Sequence, residues 1–347
     1  MVKRFILYAP NVHTGGGVVL LQSILLSWPI SQKIRAFLDI RAKNEIMLPD
    51  NIDVSWVRPS IISRLNAEVD LFRIAKKKDL VFCFHGLPPL FPIVSEVLLF
   101  QQNRIHLGLD PLSQFSYKVR LRLLGERTIS KVFKKRVTQY IVQTPSMKKA
   151  LIEWYSDIKT PPKVDVFPFF DTLSLPSNHS RSSLTNVWDF IYVADGVAHK
   201  NHLRLLDAWV MLAKEGLFPS LAVTLTSRDE LLIERFKAIT AKFSLNIVNL
   251  GQLNRDEIGE LYSMTEALVF PSTSESFGLP LIEASQANVK IVASELDFVR
   301  DVCSPVETFD PSSVISIYRS VKRYLRSENK PLKIHSAKEF IDEYVIK

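Results

Sequence analysis

The stretch that decides the fold is Ala267–Ala284, with the sequence ALVFPSTSESFGLPLIEA. Its first four residues are a short apolar run of the kind found in buried parallel strands, and the Ser, Thr, Gly and Pro that follow are typical of a loop. The apolar spacing from Leu281 to Ala287 predicts a helix. The segment therefore predicts a strand, a loop and a helix in succession, which is the repeating unit of an α/β protein.

Two carboxylates lie eight positions apart in this segment, Glu275 in the loop and Glu283 in the helix. The first N–H groups of a helix have no partner within the helix, and the helix dipole favours negative charge there. Four residues are expected to turn such groups towards a phosphate: Ser276, Phe277, Gly278 and Leu279. Because the carboxylates can accept hydrogen bonds from sugar hydroxyls, the segment predicts a nucleotide-sugar site.

The spacing of Glu275 and Glu283 resembles the E-x7-E signature of retaining glycosyltransferases with the GT-B architecture. The most similar group is the GT4-like family, also called glycosyl transferases group 1. Further family-like segments are Leu250–Leu253, Leu261–Tyr262 and Ile291–Ser294. The resemblance is strong over residues 187–300 and weaker over the first half of the chain. It implies two Rossmann-like domains that face each other across a cleft.

The length of the chain agrees with two α/β domains. Its 347 residues exceed the roughly 250–300 beyond which single cores usually divide. Apolar runs alternate with helical patterns in both halves, which predicts parallel sheets covered by helices. A linker is expected in the Pro-, Ser- and Thr-rich stretch 167–186. We expect an acceptor domain over 1–170 and a nucleotide-sugar donor domain over 171–334, and the resemblance implies a last helix, 335–347, that packs back on the first domain.

A cation is needed near the diphosphate of a nucleotide sugar, because negative charge builds on the phosphate oxygens as the bond to the sugar breaks. The resemblance implies that Lys200, which follows the apolar run 189–193, contacts this diphosphate. The family usually has an arginine six residues earlier, where this chain has Ala194. The substitutes that the sequence offers are His199, His202 and Arg228.

The resemblance also implies roles for the two glutamates. It assigns Glu275, together with Lys200, to the catalytic centre, with Glu275 on hydroxyls of the donor sugar. It assigns Glu283 to the ribose hydroxyls of the nucleotide. Glu283 is also explained as an acid in the first turn of a helix, stabilised by the helix dipole, whereas the sequence shows no structural partner for Glu275.

The first half of the chain is expected to supply the opposite wall of the donor pocket. Gly16 and Gly17 lie between a predicted strand and a predicted helix, where glycine lets a backbone approach a ligand closely. Many family members carry a histidine after the strand that here ends at Gln101. The polar residues that stand at or near that place are Gln102, Asn103 and His106, and His85 follows an earlier strand.

No Asp-x-Asp triplet, H-E-x-x-H motif or paired C-x-x-C motif occurs in the sequence, so a metal lacks a recognisable ligand set. We therefore expect metal-independent transfer without a cofactor. The expected reaction moves a hexose-type sugar from a UDP- or GDP-sugar to a glycan or lipid-linked glycan, in the synthesis of O-antigen, capsule or lipopolysaccharide. Retention of configuration is implied by the family.

Two other functions stay open at this point. One is a nucleotide-sugar 2-epimerase of GT-B-like fold, which would release a free epimer without an acceptor. The other is a catalytically degenerate glycan-binding or partner subunit, which the departures at Ala194 and Asn103 allow. The cysteine usage fits a reducing compartment, so a cytoplasmic protein is expected.

Most of the net charge of +8 lies within residues 117–136. The basic residues there are Lys118, Arg120, Arg122, Arg127, Lys131, Lys134, Lys135 and Arg136, against the acidic Glu126. Apolar residues between them predict an amphipathic helix. Anionic lipid headgroups attract such segments, so the helix contacts the inner face of the cytoplasmic membrane or is a core helix with a solvated basic face. No nucleic-acid motif accompanies the segment, and nucleic acid is not expected as a partner.

Overall fold

The computed structural model of the protein describes residues 4–108, 112, 115–156, 162–170 and 187–325. These residues form two α/β halves, each built on its own sheet, and all strand pairs in both sheets are parallel. The predicted α/β class with two Rossmann-like domains is confirmed.

The first half contains a seven-stranded sheet in the order β3-β2-β1-β4-β5-β6-β7. Its strands are β1 (Phe5–Ala9), β2 (Ile34–Asp39), β3 (Ile52–Val57), β4 (Leu80–Cys83), β5 (Glu96–Phe100), β6 (Gln139–Val142) and β7 (Val164–Val166). Its helices are α1 (Gly15–Leu26), α2 (Ile61–Ile74), α3 (Tyr117–Phe133) and α4 (Pro145–Trp154).

The second half contains a six-stranded sheet in the order β10-β9-β8-β11-β12-β13. Its strands are β8 (Trp188–Tyr192), β9 (Leu221–Val223), β10 (Ile247–Asn249), β11 (Thr265–Phe270), β12 (Lys290–Ser294) and β13 (Glu307–Phe309). Its helices are α5 (His202–Lys214), α6 (Glu230–Phe243), α7 (Arg255–Ser263), α8 (Leu279–Gln286), α9 (Asp297–Arg300) and α10 (Val314–Tyr324).

Burial on both faces explains why the central strands are apolar along their whole length. In β1, Ile6 and Tyr8 pack into one core of the first half, and Leu7 and Ala9 pack into another. Because the residues on both faces of the strand are buried, its sequence is one continuous apolar run. The same is true of β11, in which Ala267–Phe270 is fully buried.

The strand order places the cleft. In each sheet the order reverses beside the first strand of the half, between β1 and β4 and between β8 and β11. Ligands of open α/β sheets bind at such a reversal, beyond the carboxyl ends of the strands. The loops that leave β1, β8 and β11 are therefore the ones expected to hold a ligand.

The two halves contact each other through these loops and through the start of α4. Ser276 Oγ donates to the carbonyl of Gln102 at 2.6 Å, and Thr144 Oγ1 donates to the carbonyl of Ser276 at 3.2 Å. The N–H of Ser146 donates to Asp301 Oδ2 at 2.8 Å. The loop before α8 is thus fixed to both halves.

Two sequence predictions fall on residues outside the described ranges. Most of the predicted linker, 171–186, and the predicted last helix, 335–347, are not described. The domain boundary after residue 170 and the packing of the last helix on the first domain therefore stay predictions. Within the described ranges, no helix is both long enough and apolar enough to cross a membrane.

Candidate active site

The structure brings Lys200 and Glu275 into direct contact. Lys200 lies in the turn after β8 and Glu275 in the loop after β11, and these two strands pair at the centre of the second sheet. Lys200 Nζ donates to Glu275 Oε1 at 2.6 Å, and the side chains are only 17% and 11% exposed. The expectation that Glu275 has no structural partner is wrong, because this cation is its partner.

The loop after β11 fixes the orientation of Glu275. Ser272 is fully buried, and its Oγ donates to Glu275 Oε1 at 2.7 Å. The N–H of Thr273 donates to the carbonyl of His199 at 2.8 Å, which ties this loop to the turn that carries Lys200. The carboxylate therefore has two donors on one oxygen, and its second oxygen accepts no hydrogen bond from the part of the chain that the structure describes.

Two further residues hold Lys200 in position. The buried Tyr192 donates through its hydroxyl to the carbonyl of Lys200 at 2.7 Å. Asn201 adopts a left-handed conformation with φ of 63°, which asparagine tolerates better than most residues. Its Nδ2 donates to the carbonyls of Pro271 and Pro311 at 3.0 and 2.8 Å. The lysine is thus anchored through its backbone and its neighbour.

The start of α8 lies directly after Glu275. Gly278 precedes the helix with φ of 73°, a left-handed conformation that favours glycine. Among the described residues, no backbone acceptor is found for the N–H groups of Ser276–Leu279. Together with the helix dipole, these groups give the local positive potential that an anion site needs, and phosphate binding here stays a prediction.

Glu283 lies behind this helix start and is buried, with 8% of its surface exposed. Burial raises its pKa to about 7, although a hydrogen bond from Tyr262 and the positive charge of Arg255 act in the opposite direction. The Tyr262 hydroxyl donates to Glu283 Oε2 at 3.3 Å. Because α8 begins at Leu279, Glu283 is in its second turn, so the explanation as a first-turn acid is wrong.

The glycine-rich segment of the first half faces this site. Gly16 lies so close to α8 that a Cβ on it would be 2.7 Å from Leu279 Cδ1. A Cβ on Gly17 would be 3.2 Å from Gln102 Oε1. Leu279 belongs to the second half and Gln102 to the first, so Gly16 marks a close approach of the two halves and Gly17 a close contact within the first half. The structure places both glycines in the first turn of α1, which begins at Gly15, and not in a loop before the helix as the sequence predicts. Their role in the donor pocket stays a prediction.

Asn103 is engaged locally. Its Oδ1 accepts from the N–H of Ile105 at 3.0 Å, and its Nδ2 lies 3.2 Å from His106 Nε2. Its neighbour Gln102 reaches the loop before α8 instead, through its carbonyl and Ser276. A role of Asn103 in donor binding therefore stays a prediction, and Gln102 is the residue of this segment that the structure places at the cleft.

The structure distinguishes between His202 and Arg228 as replacements for the family arginine, whose position is occupied by Ala194 in this chain. His202 is buried and its Nε2 donates to the carbonyl of Asp195 at 2.8 Å, and burial lowers its pKa to about 4. It is therefore neutral at physiological pH and cannot act as the second cation. Arg228 is exposed, and its charge acts across the cleft on His13 of the first half, adding to the effect of burial, which lowers the pKa of His13.

Comparisons with known proteins agree with this geometry. The family described as glycosyl transferases group 1 matches residues 178–339, which include Lys200, Glu275 and Glu283. The match lies in the second half of the chain and covers just under half of its residues. It agrees with the fold, since solved glycosyltransferase structures superpose on nearly the whole chain, and the predicted GT-B architecture is confirmed.

A curated relative of the chain is the serotype-specific mannosyltransferase WbdA of Escherichia coli. It is 27% identical over 115 residues, which are 33% of this chain and 14% of WbdA, so the match spans a small part of that relative. Sucrose-phosphate synthase of Thermosynechococcus elongatus has a TM-score of 0.69 at 14% identity, covering 94% of this chain and 90% of that one. Alr3699/HepE of Anabaena, solved in complex with UDP and glucose, has a TM-score of 0.69 at 13% identity, covering 93% and 90%.

Several residues of this site carried no recognisable signal in the sequence. Ser272 donates to Glu275 and Tyr192 to the carbonyl of Lys200, each through a single hydrogen bond made across loops. Asn201, next to Lys200, donates to the carbonyls of Pro271 and Pro311. The contact between Gln102 and Ser276 joins residues 174 positions apart. Tyr262 belongs to the family-like segment Leu261–Tyr262. That resemblance is the sequence signal that could have connected Tyr262 with Glu283.

Proposed function

We propose that this group 1 glycosyltransferase moves a hexose-type sugar from a UDP- or GDP-sugar to a glycan or lipid-linked glycan in the synthesis of a surface polysaccharide. The observation that carries the proposal is the contact between Lys200 and Glu275 at the start of α8, with Glu283 buried behind it. The name of WbdA, a mannosyltransferase, and the UDP and glucose bound to HepE support the same class of donor.

The diphosphate of the donor binds between Lys200 and the start of α8. A lysine ammonium has three donor hydrogens, so Nζ can hold Glu275 and a phosphate oxygen together. The N–H groups of Ser276–Leu279 and the dipole of α8 add to the positive potential there. These groups are oriented before the reaction, and charge that develops on the phosphate meets donors that need no rearrangement.

The two glutamates bind opposite ends of the donor. Glu275 has one oxygen held by Lys200 and Ser272, and the other accepts from hydroxyls of the sugar. Glu283 accepts from the ribose hydroxyls. Glu283 is buried, so a sugar ring that lacks these hydroxyls would leave its carboxyl group without hydrogen-bond partners. The free-energy cost of this loss favours ribonucleotides over nucleotides without these hydroxyls.

Transfer proceeds with retention and without a metal ion. The bond from C1 of the sugar to the phosphate oxygen breaks, and the acceptor hydroxyl forms its bond to C1 on the same face. The proton of that hydroxyl passes to the leaving phosphate oxygen. Lys200, the start of α8 and the exposed Arg228 supply the positive charge that neutralises the leaving diphosphate.

The outer face of α3 gives the protein a peripheral contact with an anionic membrane. Leu123 and Ser130 are the residues of this helix that are buried. Its exposed apolar side chains are Tyr117, Leu121, Leu124 and Val132. They alternate with lysines and arginines, and a helix with exposed apolar residues and a basic polar face binds at lipid interfaces. Such a contact would bring a lipid-linked acceptor to the first half.

A donor assay tests the proposed function. The protein is incubated with UDP- and GDP-hexoses, with and without a lipid-linked glycan and with a chelator throughout, and the nucleoside diphosphate, the free sugar and the glycan are measured. We expect release of nucleoside diphosphate that is stimulated by the acceptor, with sugar on the glycan. A free 2-epimer formed without acceptor would identify an epimerase, and the absence of any turnover would identify a binding subunit.

A further inference from the structure

Arg64 is a partly buried cation that forms no ion pair with the residues the structure describes. It lies in the first turn of α2, and its Nε is buried and makes no hydrogen bond with any described residue. Burial lowers its pKa, since a charged guanidinium loses favourable contact with water. A buried polar group without a partner is rare in proteins and needs an explanation.

The two carboxylates whose charges act on Arg64 are already bound to other groups. Asp39 is fully buried and accepts two hydrogen bonds from Arg41, from Nε at 2.9 Å and from Nη2 at 2.6 Å. Glu126 lies 3.3 Å from His106 Nε2 and 3.8 Å from Arg122 Nε. Neither is therefore a dedicated partner for Arg64.

Two other arginines surround the same place. Arg41 follows β2 and Arg64 lies in the first turn of α2, which follows β3, so both stand beyond the carboxyl ends of two neighbouring strands. Arg122 lies on α3, and the charges of Arg41 and Arg122 both act against the charge of Arg64. Like charges brought together by three separate elements cost free energy, and an anion bound among them would remove this cost.

This arginine cluster of Arg41, Arg64 and Arg122 borders the cleft. Asp39, which holds Arg41, ends β2, and His13 Nδ1 lies 3.9 Å from Asp39 Oδ2. His13 in turn lies close enough to Arg228 of the second half to be affected by its charge. The cluster thus lies on the first-half side of the cleft, where an acceptor would approach a sugar held by Lys200 and Glu275.

Exposed apolar side chains flank the arginine cluster. On α2, Ile61 and Ile62 are 79% and 73% exposed, and Leu65 is also exposed. On α3, Leu121 and Leu124 flank Arg122 and are exposed. Apolar side chains exposed together in this way mark surfaces that contact a lipid or another protein. An anion site beside them suits a ligand that is charged at one end and apolar at the other.

We propose that the arginine cluster, with Arg64 at its centre, binds the phosphate or diphosphate of a lipid-linked acceptor. The inference rests on the proposed function and names the chemical class of its acceptor. A guanidinium binds phosphate oxygens through two parallel hydrogen bonds, so a diphosphate can supply the negative charge that Arg64 lacks. The lipid chain extends from this site over the apolar side chains of α2 and α3.

Vesicle co-sedimentation of the full chain tests the site. Vesicles of a neutral lipid receive one of three additions: polyprenyl diphosphate, polyprenol, or phosphatidylglycerol. The amount of phosphatidylglycerol gives these vesicles the same surface charge as the vesicles with polyprenyl diphosphate. We expect the wild type to bind the diphosphate vesicles most tightly. Arg64→Gln should weaken that binding about tenfold or more, as expected for a lost charge-assisted hydrogen bond, and should leave binding to phosphatidylglycerol unchanged. Arg64→Lys, which keeps the charge but not the planar group, should give an intermediate loss.

Arg73→Gln is the matched control, because Arg73 lies on the same helix with its side chain 72% exposed. It should bind all vesicles like the wild type. Wild-type-like binding of Arg64→Gln to the diphosphate vesicles would overturn the proposal, as would an equal loss on phosphatidylglycerol. Titration with UDP- and GDP-sugars separates this site from the proposed function. If wild type binds no nucleotide sugar but Arg64→Gln still loses diphosphate binding, the proposed function fails and the anion site stands.

Discussion

Lys200 and Glu275 bind each other at the base of the cleft, with Nζ 2.6 Å from Oε1, although they lie 75 positions apart in the sequence. Such a buried ion pair adds little net stability, because both charges lose water. Its consequence is orientation, since each side chain holds the other in one place. In the proposed function, the cation of this fixed unit faces the phosphate of the donor and the carboxylate faces the sugar.

Removing the cation should lower turnover more than donor binding. In Lys200→Ala, Glu275 and the start of α8 still bind the donor, but the leaving diphosphate loses its nearest positive charge. We expect the turnover number to fall about 100-fold or more, with a smaller loss of affinity. Steady-state kinetics and calorimetric titration measure the two effects. Lys237→Ala on the exposed face of α6 is the control, and unchanged turnover in Lys200→Ala would remove the role assigned to Lys200.

Glu283 should make the stability of the protein depend on pH. Its pKa is raised by burial from 4.5 to about 7, so the folded state favours the neutral carboxyl group. Its stabilising contribution is therefore full below its unfolded pKa and is lost as the pH rises through 7. The shift corresponds to about 3 kcal/mol of the free energy of unfolding.

Urea unfolding of wild type and Glu283→Gln across this pH range measures the effect. The glutamine variant does not titrate at this position, so the stability of wild type relative to the variant should fall as the pH rises. A difference that stays constant between acid and neutral pH would show that folding does not change the pKa of Glu283.

Gly278 should be needed for donor binding and not only for stability. Gly278 and Gly216 both have left-handed backbones, with φ of 73° and 78°, so alanine should destabilise the protein by about 1 kcal/mol at either position. Gly216 has no atoms within 4 Å of the added Cβ, whereas at Gly278 Leu281 Cδ1 is 3.0 Å away. We expect Gly278→Ala alone to weaken donor binding in titrations. Equal donor affinity in the two variants would contradict an anion site at the start of α8.

The exposed apolar residues of α3 should be needed for membrane contact. The double variant Leu121→Ser, Leu124→Ser removes apolar surface that is exposed, so its thermal stability should match the wild type. Its binding to anionic vesicles should fall about tenfold or more, as expected for the loss of several buried methylene groups. Ile315→Ser, on the exposed face of α10 in the second half, is the control. Unchanged sedimentation of the double variant would exclude α3 as the lipid contact.

The strands of the central sheets could be predicted because burial on both faces makes their sequences apolar throughout, as in β1 and β11. The helix α2 is hard to predict because Ile61, Ile62 and Leu65 are exposed, so its apolar residues do not follow the pattern of a helix packed on a core. The strands β7 and β13 have three residues each, which is too short for a periodic signal.

The part of the site that could be predicted consists of residues from one continuous segment. Glu275, Glu283 and the start of α8 follow from the order strand, loop, helix. The partners of these residues depend on how loops distant in sequence meet, and Ser272 and Tyr192 are ordinary buried side chains until they do. The same holds for the arginine cluster, whose members come from three elements that only the fold brings together.

A crystal structure of the protein with a bound UDP- or GDP-sugar tests most directly whether the cleft holds a nucleotide sugar against α8. We expect the diphosphate between Lys200 Nζ and the N–H groups of Ser276–Leu279, with the ribose hydroxyls on Glu283. A ligand bound elsewhere in the protein, with the turn from Glu275 to Glu283 unoccupied, would contradict this assignment.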